Sequence, residues 1–355
     1  MPHRLTVVIS QSRSQNPKKR QLEEQVVAGL LGERGIDVTV VPHLYDLKPD
    51  GSGMLCLSGI SGDLVVCSWL YPRAARWILD RNQIRGQEGK TLLKSLGETD
   101  DDDEADEEAI DDLAEDKPRV ADQRELPARR IYCLDLRAYD DASAFREEIV
   151  RIATELATPT IELNGWINGN PKPEQMERYL AAETAAPEPR QATVIEEEGG
   201  RRWYPVIDLS RCTNCLECID FCLFGVYGID ARETILVEQP DNCRQGCPAC
   251  SRVCPENAII FPQHKTPTIA GSADVAGTLK IDLSQLFGAP DPGAPGAEKA
   301  MEVAARERDE QLLLAGRDAV GMQVGMPKRH ESELSGSVAK DQLDELIDSL
   351  DELDF

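Results

Sequence analysis

The chain has 355 residues, 41% of them hydrophobic and 29% charged, with a formal net charge of −25. That length and apolar content suit a globular protein of about two domains, and the charge argues against nucleic acid and anionic membrane surfaces as partners. No stretch reaches the roughly 18 apolar residues of a membrane span, so membrane insertion is not expected.

The N-terminal run RLTVVIS (residues 4–10) is rich in β-branched residues and ends in a polar loop, as a strand does. It is too short for a signal segment. The expected compartment is therefore the cytoplasm, where eleven cysteines point to metal or catalysis rather than to disulfides. KRQLEEQVVAGLLGERG follows, with Leu22, Val26, Val27, Leu30 and Leu31 at helical spacing and Gly35 at its close. IDVTVV and GDLVVCSWL predict two further strands, and RAARWILDRN a helix. RRIYCLDLRAY and ASAFREEIVRIATEL repeat the strand–helix order. Such alternation predicts an α/β domain with a parallel sheet over residues 1–182. It is interrupted at 97–118 by an acidic insertion, where like charges at high density cannot build a core. Residues 183–202 read as a linker from their Pro, Ala and charge content, and 203–265 as a small second domain. Residues 266–355 read as a largely disordered tail with short helices, the last an acidic amphipathic segment at 340–355 with Leu343, Ile347 and Leu350 on one stripe.

The second domain holds two cysteine runs. CTNCLECIDFC has the spacing C-x2-C-x2-C-x3-C, with Cys212, Cys215, Cys218 and Cys222. CRQGCPACSRVCP has C-x3-C-x2-C-x3-C-P, with Cys243, Cys247, Cys250 and Cys254. Zinc sites use separated ligand pairs, and a compact zinc ribbon would leave half of these thiols over. Four close thiolates, twice repeated, suit cubane iron–sulfur clusters instead. Structural zinc on the same thiols is the alternative. Outside the runs, Cys67 and Cys133 fall in predicted strands and read as buried, inert thiols.

On these runs the segment resembles the bacterial two-cluster ferredoxins. YPVIDLSRCTNCLECIDFCLFGVYGIDA and ILVEQPDNCRQGCPACSRVCPENAIIFPQ look like two copies of one unit, each an extended lead-in, a cysteine run and a short apolar strand. The resemblance implies an α+β domain holding two [4Fe–4S] clusters, in which the fourth cysteine of each run ligates the other cluster. Carried over, Cys212, Cys215, Cys218 and Cys254 would hold one cluster, and Cys243, Cys247, Cys250 and Cys222 the other. Two features depart from the family pattern. Leu223 follows Cys222 where the family has Pro, and one extra residue separates Cys243 from Cys247.

In the first domain, SQSRSQNPKKRQ (residues 10–21) lies between the first strand and the first helix, where open α/β sheets bind ligands. Ser12, Arg13, Ser14, Lys18 and Lys19 are candidate phosphate contacts. The loop loosely resembles that of flavodoxin-like flavoproteins, which implies FMN, although their glycine and threonine pattern is absent. It also resembles the first loop of small chelatases, but carries Gln11, Ser12 and Arg13 with no histidine, and His43 is no obvious replacement. A solvated basic helix start is the plainer account. Without a nucleophile–base pair or a carboxylate dyad, the chain reads as an electron carrier or redox subunit rather than a stand-alone enzyme. Its expected partner is a redox protein, docked through the acidic C-terminal helix. A flavin-dependent oxidoreductase and an accessory scaffold with structural clusters are the alternatives.

Overall fold

A computed structural model describes residues 4–96, 117–157, 191–272 and 296–326. Residues 97–116 of the acidic insertion, 158–190, and the amphipathic stripe at 340–355 lie outside the described residues.

β1 (Leu5–Ser10), β2 (Ile36–Val41), β3 (Leu64–Ser68) and β5 (Arg130–Asp135) lie side by side, with two-residue strands β4 (Gln87–Glu88) and β6 (Thr193–Val194) at the edges. The order is β4-β5-β3-β1-β2-β6 and every pairing is parallel. Parallel strands covered on both faces need apolar side chains on both, which is why β1, β2 and β3 are nearly continuous Val, Ile and Leu. Alternate residues part company: Val8 and Val66 enter one core, Val7, Ile9 and Val65 the other. The second core lies under α1 (Pro17–Leu31) and α4 (Ala142–Ala157), through Leu22, Val26, Phe145 and Ile149. Helix α1 begins where Asn16 accepts the Lys18 amide at 3.0 Å and Pro17 presets the first turn. The first core lies under α3 (Pro72–Arg81) and α2 (Ser52–Ser58), a short helix that the sequence pattern did not reveal.

The cysteine segment is built as two interleaved halves: β7 (Val206–Ile207), α5 (Glu217–Phe221) and β8 (Tyr227–Ile229), then β9 (Ile235–Val237), α6 (Ala249–Val253) and β10 (Ile259–Ile260). The first strand of the first half pairs antiparallel with the last strand of the second, Ile207 opposite Ile259. β8 and β9 pair antiparallel between them. The short α7 (Pro267–Ala270) follows.

The two parts share one core. Tyr204, Val206, Ile260 and Ala270 pack in the same cluster as Val8, Leu44, Tyr71 and Ala74 of the sheet domain. Tyr45 and Tyr204 stack with ring centroids 4.4 Å apart. The Tyr45 hydroxyl accepts the Tyr204 amide at 2.6 Å and donates to the Tyr204 carbonyl, and the Tyr204 hydroxyl donates to the Tyr45 carbonyl at 3.1 Å. Arg73 of α3 donates to buried Asp208 at 2.5 Å and to the Asn257 carbonyl at 2.6 Å. Gly271 has φ +103°, and a Cβ there would stand 3.1 Å from the Ala74 side chain, so this close approach needs glycine.

Two stretches differ from the sequence expectation. Part of the expected linker joins the sheet. Thr193 and Val194 pair with Thr39 and Val40, and the Glu197 carboxylate receives the amides of Lys48 at 3.1 Å and Gly53 at 2.9 Å. In the expected tail one of its short helices forms as α8 (Gly296–Leu314); the difference is that it packs on α6, through Met301, Ala304 and Ala305 and through an Arg252–Glu307 pair at 2.9 and 3.0 Å. Small residues on one face of α8 allow this close packing, a signal present in AMEVAA.

Tyr45→Phe removes a buried hydroxyl that serves two backbone groups. It should cost roughly 2–6 kcal/mol, because each of the two buried groups left unpaired costs about 1–3 kcal/mol. Tyr204→Phe, which loses a single bond to a carbonyl, should cost about 1 kcal/mol. Urea unfolding of the full chain measures both, and equal effects would contradict the role given to the Tyr45 hydroxyl.

Candidate metal centres

The cysteine runs fold into tight left-handed turns followed by one-and-a-half turns of helix. Asn214 and Leu216 have φ of 58° and 63°, which turns successive thiols inward. The first loop is held by the Asn214 side chain, which donates to the Glu233 carbonyl at 2.8 Å and accepts the Ile235 amide at 2.9 Å. In the second run Gly246 takes φ +83°, between Cys243 and Cys247.

Cys212, Cys215, Cys218 and Cys254 line one hollow of 390 Å³, its mouth included. Cys222, Cys243, Cys247 and Cys250 line a second of 340 Å³. Each hollow thus takes three thiols from one run and the fourth from the other. The strand pairing is the cause. Joining β7 to β10 returns Cys254, five residues before Ile259, to the first run. Cys222 ends α5 and faces the second run. Among the described residues no three His, Cys, Asp or Glu side chains close on a point that would hold a single ion. Four thiols around a hollow fit a polynuclear cluster, whose ligands stand apart at its corners, better than mononuclear zinc.

The surroundings suit anionic sulfur. The Asn214 amide donates to Cys212 Sγ at 3.4 Å and the Ala258 amide to Cys254 Sγ at 3.3 Å. The amides of Phe224, Gly225 and Val226 favour the Cys222 thiolate. The Tyr227 hydroxyl, fully buried between the two quartets, donates to Cys250 Sγ at 3.1 Å. Burial nonetheless pushes the thiols up: Cys212 and Cys247 to about 11, with Cys218, Cys243 and Cys250 also raised by burial and by neighbouring thiols. Thiolates in this setting need a cationic centre, so metal loading would release protons and acid would reverse it.

The two hollows differ in charge. Arg308 of α8, 1% exposed, lines the second. Its guanidinium lies 4.7 Å from the Phe221 ring centroid and donates to the carbonyls of Val324 at 2.7 Å and Gly321 at 2.6 Å. It pairs with Asp309 at 3.2 Å, and burial raises the Cys222 and Cys247 thiols while the Arg308 charge opposes that rise, with Glu307 acting against it at Cys247. The first hollow is lined instead by Glu217 and Glu256. Arg308 lies outside both cysteine runs, and sequence reasoning missed it; an arginine on the small-residue face of its helix was the available signal.

The N-terminal loop is held by the protein's own side chains. At the switch point between β1 and β3 the buried Glu23 carboxylate accepts the Ser12 amide at 2.6 Å and Trp69 Nε1 at 2.8 Å, and pairs with Arg20 at 3.2 Å. A carboxylate thus stands inside this loop, and beside it Ser12, Arg13, Arg20, His43 and Asp46 line a hollow of 620 Å³, its mouth included. Arg13 is bound bidentately to Asp46. Ser12 and Ser14 hydroxyls accept the next turn's amides, from Ser14 at 3.1 Å and Asn16 at 3.2 Å. The Lys18 amide is the one capped by Asn16, and Lys19 Nζ lies 4.3 Å over the Trp69 ring. His43 is buried with Nδ1 3.8 Å from Asp46, and burial followed by the Arg13 charge lowers its pKa to about 4. Cys67 and Cys133 are buried in β3 and β5, and burial raises Cys133 to about 12.

Comparison with known proteins finds two relatives. An uncharacterized ferredoxin of Methanocaldococcus jannaschii is 48% identical over 77 residues, which are 20% of this chain and 52% of that protein. Ferredoxin-3 of a Nostoc species is 32% identical over 80 residues, 17% of this chain and 81% of that protein. The chain therefore spans about half the length of the first and about four-fifths of the second. No family model matches the chain, and no solved structure does. By a segment of about a fifth of its length, the chain belongs to the ferredoxin family.

Proposed function

We propose that the chain is an iron–sulfur electron carrier with two [4Fe–4S] clusters, exchanging electrons with a redox partner protein. The observation that carries this reading is the pair of thiol quartets, each around its own hollow and each completed by the opposite run. A cubane in each hollow would take up and return one electron at a time with little change of shape. The chain's own residues do the rest. Eight thiols would hold the clusters, backbone amides and Tyr227 would donate to sulfur, and Phe221, Val253 and Ile259 exclude water between the hollows. No helix among the described residues is long and apolar enough to cross a membrane. Contact of the partner with the acidic stripe at 340–355 belongs to the same reading, and that stripe lies outside the described residues.

Anaerobically purified protein should carry about eight irons and eight acid-labile sulfides, as two cubanes require. Cys254→Ser should perturb the EPR signal of the cluster held by the first run, and Cys222→Ser that of the second. Stoichiometric zinc without sulfide, or damage confined to each variant's own run, would defeat the reading.

The buried Arg308 charge favours the electron-rich state of the second hollow, while carboxylates line the first. Arg308→Gln should shift the potential of that cluster to a more negative value in an EPR-monitored redox titration and leave the other nearly in place. Arg308→Lys should shift it less. Equal movement of both potentials would show that the charge does not act locally.

A further inference from the structure

A cleft of 2360 Å³, its open mouth included, separates the C-terminal end of α3 and the turn at Val120–Gln123 from strand β9 of the cysteine segment. One wall is apolar, with Ile207, Leu209, Ile235 and Val237. The other carries cations. Arg124 is satisfied by Asp80 at 2.9 Å. Arg81 and Arg85 are not: the Nε of each is buried and has no hydrogen-bond partner among the described residues. Arg81 reaches a single carbonyl, that of Val237, at 3.4 Å, and its guanidinium otherwise rests over the Tyr204 ring at 5.0 Å. Arg202, 4.7 Å from the same ring centroid, is paired with Asp241 at 3.0 Å and leaves no acceptor for the Arg81 Nε. Burial lowers the Arg81 pKa, so its charge is held there against the cost of desolvation. Buried donors without acceptors are rare, and cationic ones cost more than neutral ones. Two such guanidinium groups on one cleft wall mark the place of an anion.

The opposite side of the cleft says what the rest of the ligand is. Ile207, Thr213 and Ile235 line both the cleft and the hollow of the first thiol quartet. Whatever sits against that wall is one layer of side chains from Cys212, Cys215 and Cys218. The wall itself offers branched aliphatic side chains and no buried acid, a surface that takes a flat aromatic ring.

We propose that this cleft binds an anionic aromatic small molecule, its phosphate or carboxylate on Arg81 and Arg85 and its ring against Leu209 and Ile235, beside the first quartet. Its place on an electron path rests on the function proposed above; the binding itself does not. This site is separate from the N-terminal loop, where Glu23 accepts the Ser12 amide.

The test uses the full chain, purified anaerobically, with iron and sulfide measured on the same sample. FMN probes the phosphate and anthraquinone-2-carboxylate the carboxylate, each titrated by fluorescence or absorbance. Riboflavin serves as the ring without the anion. At least one of the two anionic probes should bind saturably, and FMN, if it is the one, at least tenfold more tightly than riboflavin. The double variant Arg81→Gln/Arg85→Gln should weaken that binding tenfold or more while iron content and melting midpoint stay unchanged. Arg232→Gln, at the exposed rim, controls for general loss of charge and should change binding less than threefold. Saturable binding of neither probe, or equal binding by wild type and double variant, overturns the proposal even where iron and sulfide are present in full. Iron and sulfide missing from a protein that still binds the probe would sink the electron-carrier reading and leave the cleft standing.

Discussion

Two ladder positions organise the cysteine segment. Ile207 opposite Ile259 and Val206 opposite Ile260 join the beginning of the segment to its end. That pairing carries Cys254 back to the first run, and the interleaved hairpin of β8 and β9 leaves Cys222 facing the second. The same residues do a second job, because Val206 and Ile260 are also part of the core under α3. A short strand pair is marginal by itself in water. Here it is sandwiched between the hollows on one side and a sheet domain on the other, so each contact supports the next.

The consequence is that the α/β domain and the cysteine segment are not beads on a string. The Tyr45–Tyr204 clamp, the buried Arg73–Asp208 pair and the fit of Gly271 against Ala74 are contacts that a free linker would not permit. Helix α8 closes the far side of the segment and brings Arg308 to the second hollow. A small cysteine-rich domain has too little apolar surface to be rigid alone. The sheet domain and α8 supply that surface, and each also sends an arginine to the thiol quartets: Arg119 pairs with Glu256 at the first hollow, and Arg308, paired with Asp309, lines the second.

The sheet domain is a parallel α/β layer whose first loop holds a carboxylate of its own. Glu23 sits on α1, on the face that packs against the sheet, and satisfies the Ser12 amide and the Trp69 indole together. Its negative charge is balanced by Arg20 at one turn's distance along the helix. Among the described residues, the Nε atoms of Arg81 and Arg85, which line the cleft between α3 and β9, are buried without a hydrogen-bond partner.

Much of this was legible in the chain itself. Continuous Val and Ile runs alternating with helical periods determined a parallel sheet, since such strands must be apolar on both faces and such helices on one. The cysteine spacings determined a thiol-rich centre, because ligand spacing is a local property. The short helix at Ser52–Ser58 and the edge strand at Thr193–Val194 were not legible: seven residues and two residues carry no period. Nor was the filling of the N-terminal loop, since Ser12 and Glu23 meet only when α1 packs on the sheet. Arg308 lies more than fifty residues beyond the last cysteine of the runs and reaches the second hollow only through the docking of α8 on α6. Spacing and periodicity act between near neighbours in sequence and are written there. Charge and burial act through space, so which side chains line each thiol quartet, and which arginine nitrogens are buried without a partner, were decided by the tertiary structure alone.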